Sequence, residues 1–200
     1  MHRFHKTISV VLHPILMPTI SVILYLLMIP NSYTSKQKTA LLALIFLTTY
    51  LLPILILVLF KKLNLIHNFN TKSVKERKLP VALMIVVFYL LGNTIANNTS
   101  MTDISLLFYT SSIALTFIYL SLVYQLKISI HLVSLGLSTG FFILIGFIYN
   151  YSFPIVVIGN ILLAGIAGNA RLNLKIHQPK AIYLGFLSGF IAPFLVYNFL

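Results

Sequence analysis

The sequence predicts an all-α protein, a polytopic transmembrane helix bundle of six to seven spans, and three observations carry that expectation. Fifty-nine per cent of the 200 residues are apolar and only 8% are charged, too few for a surface that water would solvate. Several apolar runs approach or exceed ~20 residues, the length that crosses a bilayer core. The basic residues gather in short stretches between those runs rather than on one soluble face. Within lipid an unpaired backbone group finds no water, so each run is expected to be helical. No long soluble insertion separates them, and residues 1–200 read as a single integral membrane domain.

Seven apolar segments follow in order: Ser9–Pro30, Ala40–Phe60, Val81–Asn97, Ile104–Gln125, Ile128–Tyr149, Pro154–Ala170 and Ala181–Phe199. The first is basic and then apolar, like a signal peptide. Its apolar part is too long and no small-residue cleavage site follows, so it is expected to stay as a span. His13-Pro14 and Pro18 should loosen it. His13 is ionisable within an apolar run, and the simpler reading is a neutral histidine bonded to a neighbouring helix. The third and sixth segments are the shortest. Asn93 in the third is expected to bond across helices, and the fourth reads as a plain bundle helix. Gly136 and Gly140 in the fifth, Gly165 and Gly168 in the sixth, and Gly185 and Gly189 in the seventh would let helix backbones approach closely.

The chain contains no cysteine, which excludes disulfide and thiolate chemistry. Its net charge of +12 implies no nucleic-acid partner, because lysine and arginine beside spans report topology or lipid head groups. The longest polar loop, residues 61–80, holds six of the fourteen basic residues and Glu76, one of only two acids. Counting spans from the amino terminus, the loops before the third, fifth and seventh lie on one face. Lys72 and Arg77, then Lys127 to His131, then Arg171 to His177 should therefore converge. Each cluster lies just before or at the start of a helix, where free N–H groups and the positive dipole end favour phosphate. Arginine adds a planar fork for phosphate oxygens and lysine a point charge. Histidine, with a pKa near neutrality, suits nucleophilic and acid–base work.

Two of these stretches, Lys127-Ile128-Ser129-Ile130-His131 and Arg171 through Gly189 (RLNLKIHQPKAIYLGFLSG), resemble signature motifs of the type 2 phosphatidic acid phosphatase (PAP2) superfamily. One family motif reads Pro-Ser-Gly-His, and Ser129 and His131 keep its pattern. The other reads Ser-Arg, five residues, His, three residues, Asp; Arg171 and His177 keep that spacing, and Ala181 stands in the place of the Asp. A third motif, Lys, six residues, Arg-Pro, is matched by Lys72 and Pro80, with Leu79 in the arginine position and Arg77 two residues earlier. The resemblance covers the second half of the chain better than the first.

The resemblance implies a PAP2-like helical core and hydrolysis of a lipid phosphate or pyrophosphate through a phosphohistidine, the substrate being the lipid partner in the bilayer. It makes His177 the nucleophile and His131 the general acid. Arg171, Lys72 or Arg77, Lys127 and Ser129 would hold the phosphate oxygens. No metal or other cofactor is implied, and two acids are a poor supply for a magnesium site. The family Asp would orient the nucleophilic ring; here a backbone carbonyl, Asn169, Asn173 or Glu76 could take its place.

A bacterial inner membrane is the expected location. The motif face carries twelve of the fourteen basic residues, the other two being Lys36 and Lys38, which favours the cytoplasmic side. The competing expectations are a non-catalytic PAP2-like protein that binds lipid phosphate, and a small transporter component with functional polar residues near the midplane.

Overall fold

The computed structural model describes residues 14–66, 74–97 and 101–199, so His13 and Lys72 lie outside the described residues. Seven helices follow one another: α1 (Met17–Met28), α2 (Ser35–Lys62), α3 (Val74–Ala96), α4 (Thr102–Val123), α5 (Ile130–Tyr149), α6 (Pro154–Asn173) and α7 (Pro179–Tyr197). No strand occurs among the described residues. Helices α2 to α7 are long and apolar enough to cross a bilayer, so the chain is an integral membrane helix bundle. The described part of the first segment forms only the 12 residues of α1, about 18 Å at 1.5 Å per residue.

Several helices extend beyond their apolar runs, and the extensions of α3 and α6 bear on the basic residues. α3 begins at Val74 rather than Val81, because the charged residues 75–78 form its first turns and Pro80 is accommodated inside it. α6 runs to Asn173 rather than Ala170, which takes Arg171 into its last turn. Arg171 thus sits at a helix carboxyl end, where a cation is favoured, and not at the helix start expected from sequence. α2 opens with a capping box: the Thr34 hydroxyl accepts from the Gln37 N–H at 3.3 Å, and Gln37 Oε1 accepts from the Thr34 N–H at 2.8 Å. Its middle widens into a π-helical turn, Leu47–Leu51, just before Pro53, whose missing N–H breaks the regular ladder.

Helix α5 is the axis of the bundle; two-thirds of its apolar window is buried, and Phe141 and Phe142 are inaccessible. It packs most closely on α7. A Cβ at Gly136 would strike the Phe186 carbonyl, one at Gly140 the Phe190 carbonyl, and one at Gly189 the Val133 carbonyl. Only glycine allows backbones this close. The small-residue expectation therefore holds for α5 and α7. It fails for Gly165 of α6, which has open space around it, while Gly168 faces the Ile182 side chain at 3.3 Å. Helices α3 and α4 form the other tight pair. Gly92 lies against the Tyr109 ring, Phe88 stacks on Phe108 at 6.1 Å, and Ser112 Oγ donates to the Ile85 carbonyl at 2.9 Å. Asn93, by contrast, is exposed.

Polar side chains join the remaining helices. Ser21 Oγ of α1 and Asn160 Nδ2 of α6 both donate to Ser138 Oγ of α5 at 3.0 Å. Thr19 and Thr49 pair at 3.1 Å between α1 and the π turn. Such bonds tie helices together where burial in lipid supplies little force between them.

Four helices end in the same manner. Asn64, Gln125, Asn150 and Lys175 have φ between 53° and 60°, and the following N–H reaches back five residues to a helix carbonyl. This is the Schellman closure, usually made with glycine; here no glycine adopts positive φ.

Candidate functional site

The site lies where the amino ends of α3, α5 and α7 meet the carboxyl end of α6. Ser129 is the residue before α5, and its N–H donates to the Ala181 carbonyl in the first turn of α7 at 3.2 Å. Gly185, one turn on, makes this approach possible, since a Cβ there would come within 2.9 Å of the Ser129 carbonyl. Pro179 is pre-set for the first position of α7, where its missing N–H costs nothing.

The five-residue gap between Arg171 and His177 closes through the α6 Schellman turn. The Ile176 N–H donates to the Arg171 carbonyl at 3.2 Å, and Lys175 takes the left-handed conformation that reverses the chain. His177 is thereby folded back under the arginine. Arg171 then reaches across to α5: its Nη2 lies 2.6 Å from Nδ1 of His131 and also meets Nε2.

Arg77, in the first turns of α3, belongs to the same cluster. Its charge acts on both Arg171 and His177, and the exposed Lys127 also acts on His177. The sequence-predicted residues Arg77, Lys127, Ser129, His131, Arg171 and His177 are therefore together. Among the described residues, the charged groups acting on His177 are all cations: Arg171, Arg77 and Lys127.

Three buried polar atoms here have no hydrogen-bond partner among the described residues: Ser129 Oγ, Arg171 Nε and His177 Nδ1. An unpaired buried polar atom costs about 1–3 kcal/mol, and three in one place indicate a site shaped for a polar ligand. The pKa of His177 is pushed down to about 4, first by burial, then by the charges of Arg171 and Arg77 and, more weakly, Lys127. The ring is therefore neutral at pH 7. A hydrogen bond with the Ile128 backbone acts in the opposite direction.

Of the groups considered in place of an Asp beside His177, the Ile128 backbone is the one that acts on its ring. The two asparagines considered for that role bond each other instead, Asn173 Nδ2 donating to Asn169 Oδ1 at 2.8 Å. A backbone partner leaves no side-chain signature in the sequence, and neither does a left-handed lysine. Comparison with protein-family models, with curated proteins and with solved structures gives no match to this chain.

Proposed function

We propose that the chain is a membrane-embedded phosphatase that hydrolyses a lipid phosphate or lipid pyrophosphate through a phosphohistidine on His177. The observation that carries this reading is the cluster of three partnerless buried atoms, on Ser129, Arg171 and His177, inside a ring of cations. Ser129 Oγ and Arg171 Nε donate to phosphate oxygens, and Arg77 and Lys127 add charge. His177 Nδ1 attacks phosphorus and the bond to the lipid oxygen breaks. The phosphate draws Arg171 away from His131, which takes a proton from solvent, delivers it to the leaving oxygen and is then neutral again to accept one from the water of the second step. Water cleaves the phosphohistidine and releases inorganic phosphate. A cluster at one end of the bundle suits a reacting group at head-group level whose lipid chain stays in the bilayer. The basic residues at this end favour the cytoplasmic face of a bacterial inner membrane.

Ala181 supports a second reading. With only a backbone group to orient His177 and stabilise an imidazolium, the cluster would bind lipid phosphate without turning it over. Phosphate release from purified protein in detergent, over a panel of lipid phosphates and pyrophosphates without added metal, separates the two. Release by wild type that is lost in His177→Ala supports the phosphatase. Saturable binding with no release from any member supports the binding protein.

A further inference from the structure

At the other end of α5, about 30 Å away by its 20 residues, lies a second polar site that this chemistry does not use. A cavity of about 340 Å³ opens there, lined by Tyr25, Tyr33, Tyr149, Tyr151 and Asn31 among others, and among the described residues no lysine, arginine or histidine lines it. Tyr25 and Tyr149 both donate their phenol hydrogens to Asp103 Oδ2, at 2.6 Å and 2.7 Å. One of only two acids in a chain of net charge +12 is thus wired through phenols to the wall of a cavity.

Four of the eight residues lining the cavity are tyrosines, whose ring faces attract a cation. A phenol donating to a carboxylate carries more electron density in its ring, which strengthens attraction of a cation to the ring face. Asn31 gives its amide hydrogens to the Leu26 and Ile29 carbonyls, at 3.1 Å and 2.8 Å, and its Oδ1 is left buried without a partner. The carboxyl ends of α1 and α5, the negative ends of their dipoles, converge on the same place. Tyr151 is about half exposed, so the cavity has an open side.

We propose that this tyrosine-walled cavity binds an ammonium group, either a protonated amine or a trimethylammonium, carried by a soluble cation or by a lipid head group. The cation sits against the tyrosine rings, with Asn31 Oδ1 as acceptor and Asp103 as counter-charge one hydrogen bond away.

Equilibrium binding of radiolabelled choline to the full chain in phosphatidylglycerol nanodiscs tests it. Saturable binding is expected, displaced by tetramethylammonium and not by 3,3-dimethylbutan-1-ol, the neutral isostere of choline. Tyr151→Leu, which leaves the Asp103 hydrogen bonds intact, should weaken binding roughly five-fold, and Asp103→Asn at least as much. Adding phosphatidylcholine to the nanodiscs distinguishes the sources: falling choline binding identifies the lipid head group, and unchanged binding the soluble cation. Absence of saturable binding, displacement by the neutral isostere, or wild-type affinity in Tyr151→Leu would overturn the proposal.

Discussion

Arg171 and His131, forty positions apart, meet with Nη2 2.6 Å from the ring Nδ1. The contact joins the last turn of α6 to the first turn of α5, and it accounts for the arrangement of everything else at that end. Arg171 spends one arm of its fork on His131 and keeps Nε buried and unpaired. An incoming anion therefore finds a donor already desolvated and already aimed. Arg171→Lys removes the fork and leaves a single flexible charge. We expect it to weaken binding of a lipid phosphate about ten-fold, measured by equilibrium binding, with thermal stability little changed.

The pH behaviour follows from His177. Its pKa is lowered to about 4, with burial as the first cause and Arg171 the second. The unfolded chain, near 6.5, binds more protons than the native state between pH 6.5 and pH 4. Stability contributed by the neutral ring is thus present above pH 6.5 and is lost as the pH falls towards 4. The acid limb of kcat/KM should lie below pH 5, because the nucleophile stays unprotonated until then. A limb centred at 6.5 would contradict the environment assigned to the ring. In Arg77→Gln the limb should move upward without reaching 6.5, since burial remains.

Much of this was legible in the sequence. The apolar runs gave the spans to within a few residues wherever their ends were apolar, and alternation of direction brought Arg77, Lys127, Ser129, His131, Arg171 and His177 to one end. What escaped lies in the backbone and in polar helix turns. The start of α3 is written in charged residues, which carry no apolar signal. The helix ends at Gln125 and Lys175 lack the glycine that usually marks them. The Ile128 backbone, which acts on the His177 ring, is invisible to any reading of side chains. The Tyr25–Asp103–Tyr149 cluster joins residues up to 124 positions apart, and only its lone acid could have drawn attention.

The α5–α7 contact should be the least forgiving part of the bundle. Gly189→Ala places a methyl group against the Val133 carbonyl, and the helices must separate to admit it. A loss of about 2–3 kcal/mol is expected from overpacking, read as a lower unfolding temperature in detergent, with phosphate binding lost as Ser129 leaves Ala181. Gly165→Ala is the control: nothing lies within 4 Å of its Cβ, and it should be neutral or slightly stabilising.

Lys175→Gly should stabilise the protein. Lys175 holds φ at 53°, a conformation that costs a side-chain-bearing residue about 1–2 kcal/mol and glycine nothing. Part of that gain is offset by the freedom glycine has in the unfolded chain, leaving roughly 0.5–1 kcal/mol. Thermal unfolding of the two proteins checks this. The turn that carries His177 beside Arg171 should persist, so phosphate affinity should not change.

The central claim is that His177 attacks phosphorus. The most direct test is to quench the protein in alkali during turnover of a labelled lipid phosphate or pyrophosphate and look for a phosphorylated histidine by mass spectrometry. An acid-labile, alkali-stable phosphate on His177 is expected, absent in His177→Ala and formed more slowly in His131→Ala, where the leaving oxygen receives no proton from the ring. Turnover by wild type with no phosphorylated His177, or undiminished turnover by His177→Ala, would contradict it.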